Sequence, residues 1–144
     1  MGEEAEEANK YMAEKMGFTP RMFKIINTVN PEAGKTFADF YNSLWKDGAL
    51  SKKTKELMFT SIGVANMSPR CLIHVIPAIK EGATTAEIFE AVAVGTIAAG
   101  FVPNGAGIPY AFEYAVKVLE IADKYSKGEE WEYLLPTKFD HGIH

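Results

Sequence analysis

A single cysteine, Cys71, stands in the whole 144-residue sequence. One thiol cannot close a disulfide within the chain, so the fold has no covalent staple and a reducing compartment is expected. Long apolar runs are missing too. The nearest approach, Ala91 to Pro103, is interrupted by Gly95, Thr96 and Gly100. It falls short of the roughly 18 residues that a membrane-spanning helix needs. The start, Met1-Gly2-Glu3-Glu4, is acidic where a secretory leader is basic and then apolar, so a cytoplasmic location is expected. Basic charge is scarce: 15 Lys and Arg stand against 19 Asp and Glu, a net charge of -4. Neither a nucleic-acid backbone nor a membrane is an expected partner. Strand-like alternation, internal repeats and low-complexity linkers are also absent.

What is present is an ordinary globular balance, 47% hydrophobic and 24% charged. A chain of this length can bury roughly 70% of its unfolded surface. One domain over residues 1–144 is expected, built without a metal or cofactor.

Helix start signals recur along it. Residues 3–16 read as a helix with Glu3, Glu4, Glu6 and Glu7 at its positive end. Thr19-Pro20 and Asn30-Pro31 each read as a cap followed by a proline. Phe37, Phe40, Tyr41, Leu44 and Trp45 form a helical stripe ended by Gly48. Ser51 opens a helix to about Met67 with Leu57, Ile62 and Ala65 inward. Ser68-Pro69 opens another over about 70–81, closed by Gly82. Thr84 with Glu87 is a capping box. The helix behind it (Ile88, Phe89, Val92, Val94, Ile97, Ala98) is apolar nearly all round, which predicts a central, buried position. Beyond a Gly/Pro loop at 100–107, a stripe from Ile108 to Ala122 continues to about 126, followed by a tail with Trp131, Tyr133, Leu134 and Leu135. Met12, Met16, Met22 and Met58 take core-like positions. The expectation is an all-α fold of six or seven helices.

The chemistry-bearing stretch is Ser68-Pro69-Arg70-Cys71-Leu72-Ile73-His74. With Ser68 as the cap, Cys71 falls in the first helical turn, where unpaired N–H groups favour a thiolate. Arg70 adds positive charge, and His74 shares a face with Cys71 three residues on. A thiol, an imidazole and a helix start are the parts of an activated sulfur nucleophile, although a lone cysteine in an apolar helix also serves as a small core residue. Glu56, after a basic run, reads by itself as a solvated glutamate paired with Lys52 or Lys53.

Four segments resemble the carboxymuconolactone decarboxylase family, which includes the alkylhydroperoxidase D-like proteins. They are Lys46 to Ser51 with Lys53 to Leu57; His74 followed by Gly82-Ala83-Thr84; Thr85 to Ile88 with Glu90-Ala91; and Gly100 to Pro109 leading into Tyr110-Ala111-Phe112. The resemblance is strongest over 45–122 and implies the alkylhydroperoxidase D-like helical domain. It makes Glu56 a partner of Cys71 and His74 in catalysis; Arg70 and Ser68 beside them are the candidate substrate-binding residues. It also implies a homo-oligomer, a hexamer or trimer.

The family's redox branch carries Cys-x-x-Cys-x-x-x-His. Here the first cysteine's place falls on Ser68 or Met67, and the second's on Cys71 or Arg70, depending on whether one counts from Glu56 or from Gly82. A dithiol cycle within one subunit is excluded, so a thiol peroxidase would need an external thiol reductant. The decarboxylase branch lacks the pair and keeps the histidine, which leaves a cofactor-free lyase acting on an anionic lactone as the alternative, or a non-catalytic oligomeric binding protein. The leading expectation is a one-cysteine, thiol-dependent antioxidant enzyme acting on a peroxide. Asp140, His141 and His144 make a poor metal site at a chain terminus, and the 100–107 loop lacks the strand and the Lys-Ser/Thr ending of a phosphate cradle.

Overall fold

The computed structural model describes residues 2–100 and 111–131, with the backbone alone at Pro69, Arg70 and Cys71. Among these residues there are seven α-helices, one 3-10 helix and no strand. They are α1 (Glu3–Met16), α2 (Arg21–Val29), α3 (Pro31–Trp45), α4 (Lys52–Ala65), the 3-10 helix Pro69–His74, α5 (Val75–Lys80), α6 (Thr85–Ala99) and α7 (Ala111–Ser126). The all-α expectation is met. No described helix is long and apolar enough to cross a membrane. The chain separates into two compact units, Met1–Asp47 and Gly48–His144.

In the first unit α1, α2 and α3 close around Met12, Phe23 and Ala38. Asn30 caps α3 by accepting from the Ala33 N–H at 3.1 Å, with Pro31 in the first turn. Thr19 does not cap α2: its hydroxyl donates to the Asn9 carbonyl of α1 at 2.6 Å, and Pro20 takes the cap position. Gly34 lets α3 approach α2 so closely that a Cβ there would run into the Asn27 amide. Asn27 is fully buried and donates to Asn9 Oδ1 at 2.9 Å. The buried residues of α3 are therefore Gly34 and Ala38, not the bulky stripe, and Phe40 and Leu44 are 63% and 50% exposed. Phe37 stacks on Phe23, and Tyr41 on Trp45, at centroid distances of 4.4 and 4.5 Å. Small residues set the helix–helix distance here, and the large ones are displaced to the flank.

The second unit buries Val64, Leu72, Val75, Ile88, Val92, Tyr114, Val118 and Ile121 in one cluster. Ser51 caps α4 through the Thr54 N–H, and both halves of the Thr84–Glu87 capping box are present on α6. Helices α4 and α6 run parallel, with Lys53 paired to Glu87 at 2.7 Å near their starts. Further along, the Ser61 hydroxyl donates to the Ala91 carbonyl at 2.6 Å. The helix expected to be central is not. Ile88, Val92, Gly95 and Thr96 of α6 are buried, but Phe89, Val94 and Ile97 are 57%, 63% and 62% exposed. On α4, Ile62 and Met58 face outward as well, as does Met22 on α2; of the four methionines read as core, Met12 is buried and Met16 packs at the edge. Periodicity cannot orient a helix that is apolar on both sides; the neighbours decide which side is covered. Residues 101–110 and 132–144, which include the Gly/Pro loop and the His141/His144 group, lie outside the described residues.

The Glu87 carboxylate accepts from Lys53, from the Thr84 N–H and from the Thr84 hydroxyl, and these bonds hold its pKa down to about 2. A carboxylate with a depressed folded-state pKa binds fewer protons folded than unfolded. Its contribution is whole above the ordinary value of 4.5 and is lost as pH falls through about 2. Acid unfolding followed by circular dichroism should show a Glu87→Gln variant losing less stability than the parent across that window.

Candidate active site

Glu56 lies one turn into α4 on its buried side, and His74 ends the 3-10 helix. Both are nearly inaccessible, at 3% and 6% of their free surface. His74 Nδ1 lies 2.6 Å from Glu56 Oε2. Lys52 and Lys53, read as Glu56's partners, bond Glu81 and Glu87 instead. The helical turn decides this. Lys52 and Lys53 sit at the start of α4, near the end of α5 and the start of α6, while Glu56 rotates inward toward the 3-10 helix.

An ionised carboxylate only accepts, so in a bond to ionised Glu56 it is Nδ1 that donates. A carboxylate so placed fixes the orientation of the imidazole, the arrangement of a general base held by an orienting acid. Thr60, fully buried one turn along α4, donates to the Glu56 carbonyl at 2.9 Å. The Phe59 ring stacks on the His74 ring, with centroids 3.8 Å apart and planes inclined by 30°. Sequence reading missed Phe59. The available signal was its position three residues after Glu56, which puts the two on adjoining parts of the α4 surface.

The expected single helix over 70–81 is instead a 3-10 helix, Pro69–His74, followed by α5, Val75–Lys80. Ser68 makes no capping hydrogen bond with its side chain; its N–H bonds the Gly63 carbonyl at 2.8 Å. The α-helical start expected for Cys71 is therefore absent. The 3-10 geometry has another effect: with three residues per turn, positions three apart lie directly above one another. Cys71 and His74 are such a pair. The side chains of Arg70 and Cys71 lie outside the described residues, and among the described ones no cluster of His, Cys, Asp or Glu has the arrangement of a metal site. Glu56 and His74 are the two expected site residues that the fold is seen to join.

Residues 31–115 match the model of the Carboxymuconolactone decarboxylase family, from the first residue of α3 into α7. A protein of Paracoccus denitrificans described as "Uncharacterized protein 4 in cox locus" is 35% identical over 97 residues, which cover 64% of this chain and 80% of that protein. No solved structure matches the chain.

Proposed function

The chain belongs to the carboxymuconolactone decarboxylase family, and from that premise we propose that it is a thiol-dependent peroxidase with Cys71 as nucleophile and His74–Glu56 as its proton relay. The observation that carries this reading is the buried 2.6 Å hydrogen bond between Glu56 and His74, one 3-10 turn from the chain's cysteine. His74 Nε2 takes the proton of the Cys71 thiol, and Glu56 stabilises the imidazolium that results. The thiolate attacks one peroxide oxygen and the O–O bond breaks. The leaving alkoxide takes the proton back from His74, giving an alcohol and a Cys71 sulfenic acid. Sulfur has lost two electrons and the peroxide has gained them. With no second cysteine, an external thiol condenses with the sulfenic acid and releases water. A second external thiol then restores Cys71 and leaves as the disulfide. Arg70 and Ser68 are assigned to substrate binding.

The test is peroxide consumption by the full chain with a small dithiol as reductant. Turnover should vanish in Cys71→Ser and survive in a variant of the exposed surface such as Lys24→Gln. Turnover of a Cys71→Ser variant at the parent rate overturns the peroxidase reading. The lyase reading has its own support in a Glu56–His74 pair that is complete without any thiol. It expects CO2 release from a carboxylated lactone that is unaffected by Cys71→Ala and abolished by His74→Ala.

The outer face of the α4–α6 pair supports self-assembly as part of this proposal. Met58, Ile62, Val94 and Ile97 line it, each more than 45% exposed in the single chain. Lys55 stands three residues before Met58 on α4 and Glu90 four before Val94 on α6, spacings that put each charge on the same helical stripe as these apolar residues. A two-fold axis parallel to the helices would lay α4 over α6 of a second copy and oppose these charges twice. Sedimentation should show an oligomer that Val94→Asp dissociates. Glu90→Lys should weaken it and Glu90→Lys with Lys55→Glu restore it; a monomer at every concentration overturns the assembly.

A further inference from the structure

We propose that Phe59 is a positioning residue for His74, a clamp that keeps the imidazole in the one orientation from which Nδ1 reaches Glu56. The inference rests on reading Glu56–His74 as the working pair, and it does not require the thiol chemistry. A hydrogen bond at one ring atom leaves an imidazole free to rock about that bond, and wide rocking leads to a flip about the Cβ–Cγ bond that breaks it. A flip would put carbon where Nδ1 stands and leave the buried Glu56 carboxylate facing C–H. Two constraints remove that freedom together: one in the plane of the ring and one across it. Glu56 supplies the first, at 2.6 Å. Phe59 supplies the second, its ring lying over the imidazole at 3.8 Å between centroids.

Both constraints come from one helix. Glu56 and Phe59 stand three residues apart on α4, so a single rigid element carries them and their separation does not vary with side-chain motion elsewhere. The stacked face of the imidazole is closed to water and to any reactant. Nδ1 is occupied by the carboxylate. With Nδ1 held by the carboxylate, a proton exchanged with a substrate would pass through Nε2, and the clamp fixes the direction in which that atom points. The electron-rich face of Phe59 favours the ring further when it is protonated, as cations are attracted to aromatic faces.

The experiment is nitrogen-15 and proton NMR of the imidazole in the full chain, with the His74 signals assigned by their loss in His74→Gln. The parent should show a single tautomer, protonated at Nδ1, with an Nδ1 proton slow to exchange with water. Phe59→Leu and Phe59→Met retain apolar bulk but not a ring face. In them the protected Nδ1 proton should be lost and the two nitrogen shifts should move toward averaged values. Phe59→Tyr should restore the parent spectrum. Glu56→Gln supplies the reference for loss of the in-plane constraint.

A parent-like spectrum in either non-aromatic variant overturns the proposal. Unfolding of both of them while Phe59→Tyr stays folded also counts against it, because it assigns Phe59 to packing alone. Absence of peroxidase turnover in the parent would remove the functional reading above and leave this spectroscopic result standing.

Discussion

Glu56→Ala should lower the stability of the fold by about 1–3 kcal/mol, because it leaves the buried His74 without the acceptor for its Nδ1 proton. Glu56→Gln should be far milder in urea unfolding, since the amide oxygen can still accept. Its effect belongs to the chemistry. A neutral amide does not stabilise an imidazolium, so the rate at which peroxide consumes the Cys71 thiol should fall on the order of 100-fold. His74→Ala should fall as far. The double variant should be no slower than either single one, because the two groups act as one unit and losing either disables both. Stopped-flow measurement of thiol loss in the four proteins checks this. Losses that multiply in the double variant would show two independent roles and remove the relay.

The second large effect is expected at Gly95, where α6 lies against α4. A Cβ at this position would run into the Ser61 backbone carbonyl, and the Ser61 hydroxyl is also close, at 2.9 Å. Replacing a helical glycine by alanine ordinarily stabilises by about 0.5–1 kcal/mol. Here the obstacle is backbone, which cannot rotate aside, and overpacking of this kind costs roughly 1–3 kcal/mol. Gly95→Ala should therefore lower the melting temperature, and Gly95→Leu should lower it by more. Ala86→Leu, at an exposed position of the same helix, should change it little. A raised melting temperature in Gly95→Ala would show that the seam between α4 and α6 has slack.

Elements marked by local chemistry were legible in the sequence. The Asn30, Ser51 and Thr84 caps form between groups three residues apart, and each is found where the residue types place it. Neither the Thr19 nor the Ser68 side chain makes the cap its type suggests. The Ser68 N–H ties back to the end of α4, and the Thr19 hydroxyl binds across to α1. A proline that follows a cap-type residue signals that a helix begins, and does not specify whether it is α or 3-10.

Within the candidate site, residue types and spacing supplied Cys71 and His74, the family resemblance added Glu56, and the fold supplied the geometry of Glu56 and His74. Composition could not pair Glu56 with His74, because lysines stood closer in the sequence. The pairing follows from rotation of α4, which turns Glu56 inward and leaves Lys52 and Lys53 to Glu81 and Glu87. Phe59 was invisible for a similar reason, since one more aromatic in an apolar chain announces nothing until a ring is found against it.

The sequence by itself determined the helical class, most helix boundaries, the presence of a single thiol and the family, all of which depend on residue types and short spacings. Only the tertiary structure decided which faces are covered. It turned Phe40, Leu44, Ile62, Val94 and Ile97 outward and closed the helices around small residues such as Gly34, Ala38 and Gly95. It also brought a glutamate and a histidine 18 residues apart into one buried hydrogen bond. The physical reason is common to all of these. A helix's pattern is fixed by its own residues, but its rotation about its axis is fixed by the elements it meets, and the joining of Glu56 to His74 depends on that rotation.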